Sequence, residues 1–433
     1  MLKSLWNFLK KTVTAVILIL LLIVLVFLIP QVQTYYGSKL TKTFNETYNT
    51  DLNVSRLSIN YKGNIVLDNL LLRDDYEDTI IYAKSLSTSL INLANLSGKN
   101  LHFSNTEIDQ LKFKLKQYQN EKYDELTKFL DKLNDTTTTS GQSFQLKINR
   151  ALAYNSDFSI INQNIGQDPT FFIKDLDFNL SNFKLLGPDL DFNLRRMSGI
   201  LKQGIIIDDF KTRFSYSPSQ MHLEDLSLET PYSNIEGEIE FDYNREDLKD
   251  FFDKVNINAK FNNSLVSSTD LRRFYDGFGY SQELNITGVA SGQLNNLELK
   301  ALNITGVQDT RLDAELKLVN SFSDSPFSMK GSSMDISTTY GDLISLFPDD
   351  LNENLPIYFK QFGLTNLKGK IELSSDELFT VLDVKSKLGK ASLNLNFENY
   401  QSPDVVKYAG FLDAVKFDLA SFLGISTLGK TTF

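Results

Sequence analysis

The sequence predicts a mainly β protein: an N-terminal transmembrane helix followed by an elongated, curled antiparallel β-sheet groove with a few short helices. Three observations carry this. An uncharged apolar run fills Val13 to Ile29. From Leu52 onward, apolar and polar residues alternate with period two in about twenty separate stretches. The chain also lacks the glycine-, histidine- or cysteine-rich constellations from which most enzyme sites are built.

The apolar run sets the topology. As a helix it rises roughly 25 Å, enough to reach across the hydrocarbon core of a bilayer. Val13, Ile17, Leu21, Val24, Phe27 and Ile29 are its anchoring positions. Lys3, Lys10 and Lys11 precede it, and no Lys or Arg follows until Lys39. That asymmetry places residues 1–12 in the cytoplasm and everything after Pro30 on the far side. Trp6, Tyr35 and Tyr36 suit the two interfaces. A cleaved signal peptide would have a shorter core and a small-residue site after it. The run instead ends Leu28-Ile-Pro-Gln-Val-Gln33, so the expectation is an uncleaved signal anchor over 13–30. In a bacterial cell this gives a single-pass protein of the inner membrane with its bulk in the periplasm.

The 433 residues exceed one ordinary domain. A net charge of −10 with no basic block beyond the anchor argues against nucleic acid and against electrostatic attachment to an anionic bilayer. There is no cysteine, which leaves the redox compartment open.

After the anchor, Val32, Tyr36, Leu40, Phe44 and Tyr48 recur every fourth residue and predict an amphipathic helix over 31–48, its stripe packed on the domain that follows. Residues 49–135 read as a first β unit. Val54, Leu57 and Ile59 and then Ile65, Leu67 and Leu70 flank the turn Lys62-Gly63-Asn64 as a hairpin. Strands follow at 79–83, 86–93, 101–103 and 111–118, and helical spacing returns over 121–134 with Leu126, Phe129, Leu130 and Leu133 on one side. The polar run 136–142 reads as a linker.

From 143 to 433 the pattern is a repetitive sheet. Phe178, Phe192, Ile239, Phe241, Leu316, Leu395 and Phe397 are apolar members of strands whose intervening residues are Asp, Asn, Glu or Lys. Each such strand is apolar on one face and polar on the other. Two segments, Thr269-Asp-Leu-Arg-Arg-Phe274 and Gly341-Asp-Leu-Ile-Ser-Leu-Phe347, resemble each other: a short Asp-Leu helix leads into a glycine-punctuated strand. Leu428-Gly-Lys-Thr-Thr-Phe433 reads as the start of a further strand, as in a piece of a longer chain.

No catalytic, metal or cofactor site is expected. His102 and His222 lie in strand patterns away from any nucleophile motif. The doublets Asp74-Asp75, Asp208-Asp209 and Asp349-Asp350 lack the alternate spacing and glycine of a calcium loop and read as turns. Gly288-x-x-x-Gly292 lies outside any apolar helix, so it is not a membrane dimer motif.

Something must cover so much apolar strand surface. A second sheet would make sandwiches. A single long sheet would curl into a trough covered by lipid acyl chains, and an anchored, open-ended chain favours this. The opening Ile29-Pro30-Gln31-Val32-Gln33, the stretch from Leu52-Asn-Val-Ser-Arg-Leu-Ser-Ile to Leu70, the segments Asp78-Thr-Ile-Ile-Tyr82 and Gly98-Lys-Asn-Leu101, and the late Phe417-Asp-Leu-Ala-Ser-Phe-Leu-Gly424 resemble the N-terminal part of the TamB/AsmA-like family, the translocation and assembly module group. The resemblance implies a periplasmic β-groove that moves phospholipid toward the outer membrane, or aids outer-membrane protein assembly beside a barrel of the TamA/BamA type. It implies no chemically acting residue, and it makes the seven apolar residues named above candidate groove liners. The alternative is a scaffold with closed β cores that binds a protein partner and carries no lipid.

Overall fold

The computed structural model describes residues 29–59, 64–90, 100–134, 144–164, 166–351, 355–402, 404–425 and 427–433. The expected anchor positions Val13 to Phe27, most of the first hairpin turn and the 136–142 linker lie outside them. Ile29 is the N-cap of the first helix. Among the described residues no helix is long and apolar enough to cross a membrane. The chain is mainly β and divides into two units, Met1–Lys202 and Gln203–Phe433.

The first unit opens with α1 (Pro30–Tyr48), started by proline at its first turn and ended by Asn49 in the left-handed conformation. The strands are β1 (Asp51–Ile59), β2 (Asn64–Arg73), β3 (Thr79–Leu90), β4 (Asn100–Gln117), β5 (Gln145–Asn162), β6 (Phe171–Leu186) and β7 (Asp189–Leu201). They lie in chain order.

The expectation of a wholly antiparallel sheet is corrected at one place: β4 and β5 run parallel, from Asn100 beside Gln145 to Gln117 beside Asn162. Parallel neighbours need a crossover long enough to carry the chain back, and the connection holding α2 (Glu125–Asn134) supplies it. The two strands expected over 101–118 are one, β4, in which Gln110 takes a positive φ of 53°.

The face of α1 that meets the sheet also differs from the expected stripe. Gln33 and Asn45 bond to the backbone of β1, and a Cβ on Gly37 would lie 2.9 Å from Leu57 Cβ. These three share a face one residue away from Val32, Tyr36 and Phe44, and Tyr36 stays exposed. Among the described residues β1 pairs only with β2, so its outer N–H and C=O groups need polar partners more than an apolar cover.

The second unit begins with β8 (Ile206–Ile207) and then runs as a meander: β9 (Asp209–Ser217), β10 (Gln220–Glu229), β11 (Asn234–Asp242), β12 (Asn256–Ser267), β13 (Glu283–Gln293), β14 (Asn296–Gly306), β15 (Arg311–Val319), β16 (Ser328–Thr338), β17 (Thr365–Leu373), β18 (Glu377–Ser386), β19 (Gly389–Glu398) and β20 (Lys407–Val415). Each pairs antiparallel with the next.

Between β11 and β12 lies α3 (Phe251–Lys254). Short helices follow every fourth strand: α4 (Ser268–Leu271) after β12, α5 (Tyr340–Leu346) with α6 (Pro348–Leu351) after β16, and α7 (Leu419–Leu423) after β20. Strands four apart in a meander point the same way, so these helices gather at one end of the strands.

An Asp-Leu pair marks each. Asp270 Oδ2 accepts the hydroxyls of Thr230 and Ser233, both at 2.6 Å. Asp342 Oδ2 accepts that of Thr310 at 3.1 Å. Asp418 caps α7 through the Ser421 N–H at 3.0 Å. The repeat legible in two copies therefore has a third. Beyond α7, β22 (Lys430–Thr431) pairs with β21 (Phe417–Asp418), and Phe433 exchanges backbone hydrogen bonds with Ala414 of β20.

Candidate hydrophobic face and roofed pocket

Cross-strand partners in a sheet share a face. In the second unit this brings five of the seven candidate residues together. One row starts at Phe214 and passes through Leu223, Ile239, Ala259, Ala290, Leu299, Leu316, Gly331, Ile371 and Thr380 to Leu395. The neighbouring row links Met221, Phe241 and Ile257 through Gly292 to Leu297, Leu318, Met329, Leu373, Leu378 and Phe397.

Ile239, Phe241, Leu316, Leu395 and Phe397 thus stand on one apolar surface that runs from β9 to β19. In the first unit Phe178 lies between Ala153 and Met197, while Phe192 stacks on Phe183 with ring centroids 6.3 Å apart. All seven are half-buried: their neighbours shield their flanks, and none belongs to the buried core.

The opposite face is charged. Lys330 meets Glu372 at 2.8 Å and Lys368 meets Asp335 at 2.7 Å, each pair across neighbouring strands. Such exposed pairs contribute little to stability but keep that side wet. His222 lies there beside Glu224 and Glu238, and His102, in the first unit, bonds Asn149. Ser215 of β9 is the cross-strand partner of His222.

A line of bulges crosses the second-unit sheet and was not legible in the sequence. Asp225, Asn263 and Ala301 take positive φ, and the ladders shift register beside them. Each extra residue bends its strand and restores the apolar face after a break in alternation. Leu299 and Leu302, three residues apart, consequently face the same way.

Where β16 to β20 meet their helices, the face is roofed. Leu367, Val384, Ala391, Leu393, Leu412 and Ala414 form a floor. Tyr340 and Leu343 of α5, Phe359 and Phe362 of the 3-10 turn Ile357–Phe362, and Phe417, Leu419, Phe422 and Phe433 close over it. Phe422 holds the roof together, its ring 5.5 Å from Phe362 and 5.8 Å from Phe417. The cavity is about 420 Å³, within the range of small-molecule sites. Thr338, Thr339, Thr365 and Tyr340 also line it, with their hydroxyls bonded to Thr310, Asp342, Gly363 and Leu355 respectively. Such a lining stabilises an apolar occupant by removing its methylenes from water, about 0.8 kcal/mol for each.

A cluster of electrostatic perturbations lies elsewhere, where α2 meets the first-unit sheet. Glu125 is buried, and burial together with Asp74, Asp75 and Asp124 pushes its carboxyl up to about 7, although Lys128 pairs with it at 2.7 Å. Burial and the Asp74 carboxylate also hold the Tyr118 phenol above its ordinary range, and burial lowers Lys128. For Asp78 the burial effect is outweighed by bonds from Lys116 at 2.8 Å and Lys114 at 3.1 Å, which bring it down to about 2. Each of these groups is satisfied by a neighbour in the fold. Among the described residues no three His, Cys, Asp or Glu side chains are grouped to hold a metal ion.

No family model, curated protein or solved structure matches the chain.

Proposed function

We propose that this chain is a membrane-anchored lipid carrier of the TamB/AsmA-like kind, held in the inner membrane by residues 13–30 with its β units in the periplasm. In this reading, phospholipid acyl chains lie along the apolar face of the sheet on their way toward the outer membrane. Support for outer-membrane protein assembly, beside a barrel of the TamA/BamA type, belongs to the same proposal.

The observation that carries it is the row from Ile239 through Leu316 to Leu395. It is apolar almost throughout, and its large members are half-buried rather than enclosed by a second layer. An apolar surface this continuous is costly in water and calls for an apolar cover.

One observation favours the second reading, a scaffold with closed cores. Leu388, Ala414 and Phe417 form a buried cluster backed by Phe362, Ala391, Leu419 and Phe422, so part of the face is already covered by protein. Native mass spectrometry of the purified full chain separates the two. Phospholipid released from the protein on activation supports the carrier. A lipid-free protein that takes up none from mixed micelles leaves the scaffold.

A further inference from the structure

The roof of the pocket has an outer side, and that side is apolar as well. Ile357 is 70% exposed, and Tyr358 and Phe359 follow it on the same turn. Leu423 and Ile425, at the end of α7, are also exposed. The Tyr358 ring lies 5.6 Å from that of Phe422, so the turn and the helix form one surface. Phe359 belongs to both sides: it lines the cavity and is more than one-third exposed.

Basic side chains fringe the patch. Lys360 lies within the turn and is exposed, as is Lys387, whose N–H donates to the Phe362 carbonyl at 2.9 Å. Asp418 is occupied in capping α7. Exposed Ile, Leu and Phe with a Tyr, fringed by lysines, match the water–lipid boundary: the apolar groups enter the acyl region and the ammonium groups stay with the phosphates. A lipid surface would also supply what the cavity behind Phe359 is lined to receive.

We propose that the Ile357–Phe362 turn and the end of α7 dip into a phospholipid surface, and that Phe359 marks the point where an acyl chain passes between that surface and the pocket. The second half rests on the acyl-chain reading of the pocket; the contact itself does not. The chain has no cysteine, so Ile357→Cys carries a single environment-sensitive dye in the full-length protein. The labelled protein, held in nanodiscs, is mixed with vesicles of phosphatidylethanolamine and phosphatidylglycerol that contain spin-labelled acyl chains. The expected result is a blue shift with quenching at Ile357→Cys, the same at Leu423→Cys, and neither at Asp376→Cys on the β17–β18 turn. Equal quenching at all three, or none at the first two, overturns the contact. Lipid bound to the same samples, read by native mass spectrometry, is scored separately: quenching without bound lipid removes the pocket's ligand and keeps the contact, and bound lipid without quenching does the reverse.

Discussion

Gln33 and Ile59 form a closed two-bond ring. The Gln33 Nε2 donates to the Ile59 carbonyl at 2.9 Å, and its Oε1 accepts the Ile59 N–H at 2.7 Å. The side-chain amide thus gives β1 the pair of hydrogen bonds that another strand would give. Asn45 does the same at Leu52, at 2.8 and 2.9 Å, so one helix satisfies β1 near both ends. An open edge is a template for pairing with another chain, and α1 withholds it.

Gln33→Ala removes one ring and leaves Ile59 bare. The expected loss is about 1–2 kcal/mol, since two modest hydrogen bonds go and their backbone partners become accessible to water. Gln33→Glu keeps the size but removes the donor, and is expected to cost at least as much. Chemical denaturation measures the loss, and light scattering after mild heating reads the edge. A variant as stable as the parent and no more prone to associate would show that α1 does not protect β1.

The acid cluster beside α2 gives a pH dependence with a definite sign. The Glu125 carboxyl titrates near 7 in the folded chain and near about 4.3 unfolded. Between those values the folded state keeps a proton that the unfolded state has released, so stability falls as pH rises from about 4.3 to 7. Asp78 acts oppositely: its contribution is present above about 3.9 and is lost as pH falls through about 2. Glu125→Gln is expected to flatten the decline between pH 5 and 7.5, worth roughly 1–3 kcal/mol across that window. Thermal melts at the two pH values decide it, and an unchanged slope in the variant would assign the decline to other groups.

Thr380 is the one hydroxyl in the Ile239–Leu395 row. It is buried, and among the described residues its Oγ1 has no hydrogen-bond partner. A buried, unpaired hydroxyl costs about 1–3 kcal/mol. Thr380→Val keeps the shape and removes the polar atom, so a gain of about 1 kcal/mol is expected in denaturant midpoints. A loss of similar size would mean that the hydroxyl has a partner in solution.

Much of this architecture was legible from alternation alone. Ile239 and Phe241, or Leu395 and Phe397, are two residues apart on uninterrupted strand, so their common face follows from the pleat. That Ile239 shares a row with Leu316 was not legible, because register between distant strands depends on bulges, and Asp225 or Ala301 carries no marker that sets it apart from an ordinary strand residue. The parallel β4–β5 pair was hidden for another reason: a polar-out, apolar-in strand reads the same whichever way its neighbour runs. The α1 contact was missed because the sequence reading followed greasy side chains, whereas the exposed edge of β1 selects amides. The pocket roof lies in between. Its aromatic residues are plain in the sequence, but Tyr340, Phe359, Phe422 and Phe433 converge only through β16 to β20.

The lipid reading makes the two faces of one sheet unequal, which a pair of matched substitutions tests. Leu316 and Lys317 are adjacent on β15 and point to opposite sides; Leu316 sits in the apolar row, and Lys317 pairs with Glu298 and Lys330 positions on the charged side. Leu316→Asp places a carboxylate among half-buried apolar neighbours, where an acyl chain would leave it without water. Lys317→Asp changes the charge more, but where solvent already reaches. Because Leu316 is half-buried, its replacement is expected to cost about 1–2 kcal/mol rather than the 2–5 kcal/mol typical of a core leucine, and the chain should still fold. Phospholipid recovered with the purified protein should fall several-fold in Leu316→Asp, and in Leu395→Asp on the same row, and stay at the parental level in Lys317→Asp. Equal recovery from all three would mean that the apolar face is not where lipid lies, whatever the stability of the variants.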